Sequence, residues 1–297
     1  MEPIKARAID RYHRRVHVKQ LGLLIKLVDS DDSHSLQPLF ERVVRFGFKT
    51  CQISNNVPGL YTSKNADWIN WFCRKNGLKV TMLWAGWPGK TKWNFVDGPG
   101  TVGLVPLRYR EERAAIMKSA SNFAKLLDVD CIATHVGFIP ENPSDPLYGG
   151  LIDTLRDIAE YCKNNGQCFC FETGQETPVT LLRTIEDIGA ENLGVNLDPA
   201  NLVMYGKGNP VDSLKVLGKF IRGVHVKDGK YPTDGKELGI EVPIGSGDLD
   251  MPQFLAELDT LGYAGAYTIE IELDRRHGEM SLTEAIVQAK QYLQRHL

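Results

Sequence analysis

The stretch of sequence that decides the fold is residues 167–174, which read QCFCFETG. A short apolar run with aromatic side chains that ends in a polar residue is typical of a buried strand in a parallel sheet. A helical pattern at 151–164 precedes this run and another at 179–188 follows it. Residues 193–198, LGVNLD, then repeat the pattern of an apolar strand that ends in an acid. The centre of the chain therefore alternates strand and helix.

The same alternation extends in both directions along the chain. Candidate strands lie at 20–27, 49–54, 78–84, 130–135, 167–172, 193–197, 221–227 and 266–271. Helical patterns lie at 36–46, 66–76, 111–127, 151–164, 179–188, 210–217, 251–261 and 282–297. Eight strand–helix units in succession predict an α/β protein, a closed parallel (β/α)8 TIM barrel. An open doubly wound sheet is the alternative, but the first strand lacks the glycine-rich turn of the dinucleotide-binding form.

The predicted domain organisation is one TIM-barrel domain over residues 1–297, with 1–19 as an N-terminal extension. Ser33 and Ser63 are predicted helix N-caps, and Gly77, Gly166 and Gly189 are predicted to lie just past helix ends. Two long loops, 85–108 and 231–250, follow strands and not helices. We therefore expect them on the face where barrel active sites form.

Composition excludes several classes of protein. The 297 residues carry 35 basic and 37 acidic side chains, a net charge of −2, which argues against binding to nucleic acid or to an anionic membrane. The apolar run at 21–25 is far shorter than the roughly 20 residues of a membrane helix. The first twenty residues lack the apolar segment of a secretory signal. The six cysteines form no C-x-x-C pair, so we expect reduced thiols and a cytoplasmic protein.

Polar residues at the ends of four successive strands carry the candidate chemistry. The barrel topology brings Glu172, Asp198, His225 and Glu270 to one rim. Three carboxylates and one imidazole suit one divalent ion, Mn²⁺ or Mg²⁺, with Co²⁺ or Zn²⁺ as alternatives. Without a cation, three converging carboxylates would repel one another. For each residue alone there is a structural alternative, a helix-capping acid or a hydrogen-bonded core histidine.

Five motifs carry a family resemblance: FETG at 171–174, NLDPAN at 196–201, VHVKD at 224–228, PIGSGD at 243–248 and YTIE at 267–270. Together they resemble the xylose-isomerase-like TIM barrel superfamily, and within it the sugar phosphate isomerase/epimerase branch. That branch includes ketose 3-epimerases, hydroxypyruvate isomerases and inosose dehydratases. The resemblance covers essentially the whole chain and is specific for the fold and the metal site.

The resemblance implies that Glu172, Asp198, His225 and Glu270 bind one divalent metal. It further implies that Glu172 and Glu270 are the catalytic acid/base pair of a sugar isomerase or epimerase that works through an enediolate. A carboxylate on each face of the reacting carbon can remove a proton from one side and return one from the other. The expected substrate is a free sugar or sugar acid, because no basic cluster near the PIGSGD segment neutralises a phosphate.

Six further residues are candidate substrate contacts. His135 resembles the strand-four histidine that contacts substrate in the family, with a core histidine as the alternative. The other candidates are Lys26, Gln52, Trp84, Glu176 and Lys227. Glu176 is alternatively a charge near a helix N-terminus, and Lys227 alternatively orients His225 or belongs to a solvated loop.

Departures from the family and open alternatives limit the prediction. The DNA-repair nucleases of the superfamily have a histidine three residues after the strand-six aspartate, where this chain has Asn201, so a nuclease is not expected. A keto-polyol dehydratase using the same metal site remains an alternative, as does a metal-containing sugar-binding protein without turnover. The basic start of the chain is either a solvated extension or a contact between the subunits of a homo-oligomer.

Overall fold

The computed structural model describes residues 19–27, 36–272 and 280–297. Eight parallel strands close into a barrel in the order β1-β10-β7-β6-β5-β4-β3-β2, which confirms the predicted TIM barrel and excludes the open sheet. These strands are β1 (Leu21–Leu27), β2 (Thr50–Asn55), β3 (Lys79–Ala85), β4 (Cys131–Thr134), β5 (Cys168–Glu172), β6 (Leu193–Leu197), β7 (Ile221–Val226) and β10 (Tyr267–Ile269). Parallel pairing of Leu21 with Tyr267 joins the first strand to the last.

Helices surround the barrel. They are α1 (Gln37–Arg45), α2 (Ser63–Asn76), α3 (Leu107–Leu126), α4 (Tyr148–Asn164), α5 (Pro178–Ile188), α6 (Pro199–Met204), α7 (Pro210–Leu217), α8 (Met251–Thr260) and α9 (Leu282–His296). Helix α6 was not predicted, because six residues are too short to show a helical period. A small antiparallel hairpin of β8 (Asp228–Gly229) and β9 (Glu241–Val242) was also missed.

The main core lies between the sheet and the helices. Phe169 and Phe171 of β5 are buried in it, and burying a side chain of this size stabilises the fold by about 1.5–3 kcal/mol. Because side chains alternate along a strand, Cys170 and Glu172 point the other way, into the barrel. The alternation that buries the phenylalanines therefore also places Glu172 at the inner rim.

Helix ends match the predictions with one exception. Gly77 and Gly189 are left-handed C-caps with φ of 61° and 70°, and Gly166 has φ of 76° just past α4. Ser63 is wrong as an N-cap: the cap is Thr62, which has the extended backbone a cap needs and whose Oγ1 accepts the Asn65 N–H at 3.2 Å. Ser33 and all of the predicted extension except Lys19 lie outside the described residues.

The two long loops predicted for the rim meet each other. The backbone N–H of Phe95 donates to the carbonyl of Lys236 at 2.8 Å, and Asn94 pairs with Glu237 as an antiparallel bridge. The PIGSGD segment is a turn in which the N–H groups of Gly245 and Gly247 both donate to Asp228 Oδ2 at 2.9 Å. These amides are therefore already satisfied by a carboxylate of the protein itself. The six cysteines, all among the described residues, form no disulfide.

Candidate metal centre

Four strand-end side chains meet inside the C-terminal mouth of the barrel. Glu172, Asp198, His225 and Glu270 are all buried and each offers one ligand atom within 4.8 Å of the others. The Nδ1 atom of His225 lies 3.0 Å from Glu270 Oε2, 3.4 Å from Glu172 Oε1 and 3.9 Å from Asp198 Oδ2. The residues predicted from separate strands thus form one compact cluster.

The opposite side of the His225 ring is held by two amides. Its Nε2 lies 2.8 Å from Gln52 Oε1 and 3.0 Å from Asn196 Nδ2. A hydrogen bond from Nε2–H to Gln52 Oε1 makes Nδ1 the nitrogen that faces the carboxylates, so a metal ion would bind the ring at Nδ1 once that atom has lost its proton. A Cβ at position 223 would collide with the side-chain amides of Asn196 and Gln52, so glycine there leaves room for this arrangement.

Asp198 has two functions, one for each oxygen. Its Oδ1 accepts the N–H of Asn201 at 3.0 Å and caps α6. Its Oδ2 points into the cluster, 3.9 Å from the histidine. Thr173 fixes the backbone at this point, since its Oγ1 donates to the Asp198 carbonyl at 2.8 Å. Helix capping and membership of the cluster, weighed as alternatives from the sequence, occur together.

The donor set fits a divalent cation. Glu172 Oε2, Asp198 Oδ2 and His225 Nδ1 are buried and have no hydrogen-bond partner among the described residues. Buried polar atoms are normally paired, and buried carboxylates need a compensating charge. The Glu270 and Glu172 carboxylates outweigh the effect of burial and hold the pKa of His225 well above its ordinary value. Three oxygen atoms and one nitrogen form a donor set that suits a divalent ion.

Lys227 lies beside the cluster and is also buried. Its Nζ is 3.3 Å from Glu270 Oε2 and 3.1 Å from Glu272 Oε2. Burial alone would raise the pKa of Glu270, but Lys227 and His225 together lower it. Glu241 of the hairpin accepts the Glu272 N–H at 3.0 Å, and burial raises the pKa of Glu241 to about 8. No sequence pattern indicated Glu241, because the hairpin that places it was not predicted.

Aromatic side chains form one wall of the mouth. His135 Nε2 lies 3.6 Å from Glu172 Oε1, and the rings of Trp84 and Trp93 contact the imidazole edge-on at 5.7 and 5.4 Å between centroids. Trp84 Nε1 and His135 Nδ1 have no hydrogen-bond partner among the described residues. This wall therefore places two aromatic rings against His135, which lies next to Glu172.

The other predicted substrate contacts lie in different environments. Glu176 is buried two residues before Pro178, where α5 begins, and burial raises its pKa to about 8. Gln52 lies beneath the cluster, against His225. Lys26 is exposed near the end of β1, where it pairs in register with Ser54. The substrate roles of all six residues stay predictions.

Comparison with known proteins agrees with the fold. The model of the xylose isomerase-like TIM barrel family matches residues 40–296. The chain spans little more than half the length of the curated relatives that it matches. With one of these, an uncharacterised protein of Methanocaldococcus jannaschii, it shares 29% identity over 176 residues, 55% of this chain and 58% of the relative.

Solved structures extend the likeness to almost the whole chain. A xylose isomerase domain protein from Planctomyces limnophilus is 32% identical, with a TM-score of 0.82 over 93% of this chain and 95% of that one. A D-tagatose 3-epimerase-like protein is 22% identical (TM-score 0.69, 93% and 96% covered). A barrel protein from Mycobacterium smegmatis, solved in complex with magnesium, is 16% identical (TM-score 0.67, 94% and 96% covered). The last two share the fold at low identity.

In the described part of the chain, no helix has the length and apolarity to cross a membrane.

Proposed function

Because this chain belongs to the xylose isomerase-like TIM barrel family, we propose that it is a divalent-metal-dependent sugar isomerase or epimerase. The observation that carries the proposal is the cluster of four buried side chains whose ligand atoms lie within 4.8 Å of one another. The likeness to a D-tagatose 3-epimerase-like protein supports a carbohydrate substrate.

Glu172, Asp198, His225 and Glu270 hold the ion in this proposal. When bound, a divalent ion acidifies the C–H bond next to a ketose carbonyl and stabilises the enediolate that forms. Gln52 orients His225. Asp198 holds the ion through Oδ2, because its Oδ1 caps α6. The donor set favours Mn²⁺ or Mg²⁺.

Glu172 and Glu270 are the proposed proton-transfer pair. They come from β5 and from the end of β10, two strands that are separated in the barrel by β6 and β7, and both approach Nδ1 of His225. A carboxylate on each side of the reacting carbon can take a proton from one face and deliver one to the other. Lys227 and His225 outweigh the effect of burial and lower the pKa of Glu270, which keeps its carboxylate ionised.

Substrate binding is assigned to the aromatic wall and the polar atoms of the rim. His135 lies beside Glu172, Trp84 and Trp93 contact His135, and aromatic faces suit the apolar face of a sugar. The cluster carries an excess of carboxylates, which favours a free sugar over a phosphorylated one.

Proton exchange in D2O tests this function. Metal-free protein is incubated with a panel of ketopentoses and ketohexoses, with and without Mg²⁺ or Mn²⁺, and products are analysed after chelation of the metal. We expect metal-dependent deuterium incorporation next to the carbonyl of at least one ketose, together with its epimer or isomer. A product with the absorbance of an unsaturated ketone would instead identify a dehydratase. Ion binding with no exchange in any sugar would leave a binding protein and refute the proposal.

A further inference from the structure

The ammonium group of Lys227 is enclosed by carboxylates from four different positions. Its Nζ lies 3.1 Å from Glu272 Oε2, 3.3 Å from Glu270 Oε2, 3.7 Å from Asp198 Oδ2 and 4.0 Å from Glu241 Oε2. The side chain is only 3% exposed. The ammonium group donates hydrogen bonds to Glu270 and Glu272 and makes longer ion pairs with Asp198 and Glu241.

Two of these oxygens also belong to the candidate metal centre. Glu270 Oε2 lies 3.0 Å from His225 Nδ1 and 3.3 Å from Lys227 Nζ. Asp198 Oδ2 lies 3.9 Å from the same histidine atom and 3.7 Å from the same lysine atom. Carboxylates shared by two cationic positions are the arrangement of two-metal sites, whose ions lie about 3.5–4 Å apart. Here a covalently attached cation lies on one side of the shared oxygens.

The charges of the site require more than one cation. Glu172, Asp198 and Glu270 supply three buried carboxylates whose oxygens lie close together. One divalent ion offsets only part of this charge, and uncompensated buried carboxylates destabilise a fold. The ammonium group of Lys227 offsets part of this negative charge permanently, because it is covalently attached and stays in place when the metal leaves.

We propose that Lys227 is a built-in second cation: its ammonium group occupies the position of a second divalent ion and restricts the centre to one metal per chain. The inference rests on the proposed metal site at Glu172, Asp198, His225 and Glu270. It gives Lys227 a different function from the substrate contact predicted from the sequence. It also makes Lys227 a positioning residue, which holds Glu270 and Asp198 through the oxygens nearest to it.

Metal stoichiometry tests the proposal independently of activity. Metal-free wild type, Lys227→Ala and Lys227→Arg are dialysed against excess MnCl2, and bound manganese is counted by elemental analysis. We expect one ion per chain in wild type and in Lys227→Arg, which keeps the charge. We expect two ions in Lys227→Ala, with the electron paramagnetic resonance signal of a coupled manganese pair. Lys230→Ala is the matched control, since Lys230 is an exposed lysine of the same hairpin that pairs with Asp248 at 3.1 Å; it should bind one ion.

The stability of the metal-free proteins provides the second readout. Without the ammonium group, the carboxylates face one another, so the Tm of metal-free Lys227→Ala should fall by about 5 °C or more below wild type. Added Mn²⁺ should then raise its Tm more than it raises that of wild type.

The outcomes separate this inference from the proposed function. If wild type binds no divalent ion, the metal site itself is wrong and both fail. If wild type binds one ion and folded Lys227→Ala also binds only one, the inference about Lys227 alone is overturned. Two ions in wild type would overturn it as well, and this measurement does not depend on the folding of any variant.

Discussion

The Nε2 atom of His225 lies 2.8 Å from Oε1 of Gln52, on the side of the imidazole ring that faces away from the three carboxylates. The two residues are 173 positions apart in the chain, and both are buried. The contact fixes the ring orientation and leaves Nδ1 directed at the cluster. Gln52, expected from the sequence to touch substrate, is thereby placed beneath His225, a proposed metal ligand.

Removing this support should weaken metal binding. In Gln52→Leu the Nε2–H group loses its acceptor and the ring can rotate, so we expect the affinity for Mn²⁺ to fall by about 10–100-fold, as for other partners of metal-bound histidines. Titration calorimetry of the metal-free protein measures this. Ser54→Ala, on the same face of β2, is the control and should retain wild-type affinity. An unchanged affinity in Gln52→Leu would show that Gln52 does not orient the histidine.

Asp198→Asn separates the two functions of Asp198. Asparagine keeps the oxygen that caps α6 but removes the carboxylate charge, so the metal-free variant should fold with a Tm close to that of wild type. Its affinity for Mn²⁺ should fall by about 100-fold or more, beyond the loss from an orienting partner. Asp250→Asn is the matched control, since Asp250 caps α8 in the same way, accepting the Gln253 N–H at 3.0 Å, and should bind metal normally.

Glu176 should make stability depend on pH. Burial raises its pKa to about 8 from an ordinary 4.5, so between these values the folded protein holds a proton that the unfolded chain has released. The free energy of unfolding therefore falls as the pH rises through this window, and the loss of stability levels off above about pH 8. Glu176→Gln should remove this loss, which is on the order of a few kcal/mol.

Urea denaturation at pH 5.5 and pH 9 measures this effect. We expect Glu176→Gln to gain stability over wild type, and to gain more at pH 9 than at pH 5.5. Glu186→Gln, an exposed glutamate of α5, is the control and should follow wild type at both values. A gain that is equal at the two pH values would contradict the raised pKa of Glu176.

Trp93 should contribute to substrate binding and not to folding. Its side chain is 43% exposed at the mouth and contacts His135, so Trp93→Ala removes an aromatic face from the pocket but little from the core. For a ketose that the exchange assay identifies, we expect KM to rise about five- to tenfold, about 1–1.4 kcal/mol, with little change in Tm. Trp71→Ala, a tryptophan of α2 that is 49% exposed, should leave KM unchanged.

The sequence predicted the elements that depend on local pattern. All eight barrel strands appear in the structure, displaced by at most a few residues, because apolar runs and strand-end polar residues are visible in the chain itself. Glu172, Asp198, His225 and Glu270 were found together because parallel strands in a barrel bring their carboxyl ends to one rim. Family resemblance then supplied the implied chemistry.

The sequence did not predict contacts that depend on register and on loop paths. Gln52 meets His225 across the barrel interior, and Glu241 reaches Glu272 only because the hairpin of β8 and β9 folds back over the rim. The carboxylates around Lys227 also come together only through the strand register and the path of this hairpin. Asn196 was not predicted as a site residue, although it belongs to the NLDPAN motif. Its position near the end of β6, two residues before Asp198, is the signal that could have placed it inside the barrel.

The measurement that tests the central claim most directly is deuterium exchange by the two glutamate variants. Wild type, Glu172→Gln and Glu270→Gln are each loaded with Mg²⁺ and incubated in D2O with a ketose that wild type epimerises. Deuterium at the carbon next to the carbonyl is then followed by mass spectrometry. The account predicts metal-dependent exchange in wild type and a loss of at least about 100-fold in each variant, since general acid–base groups contribute about 10²–10⁴-fold. Wild-type exchange in both metal-loaded variants would contradict it.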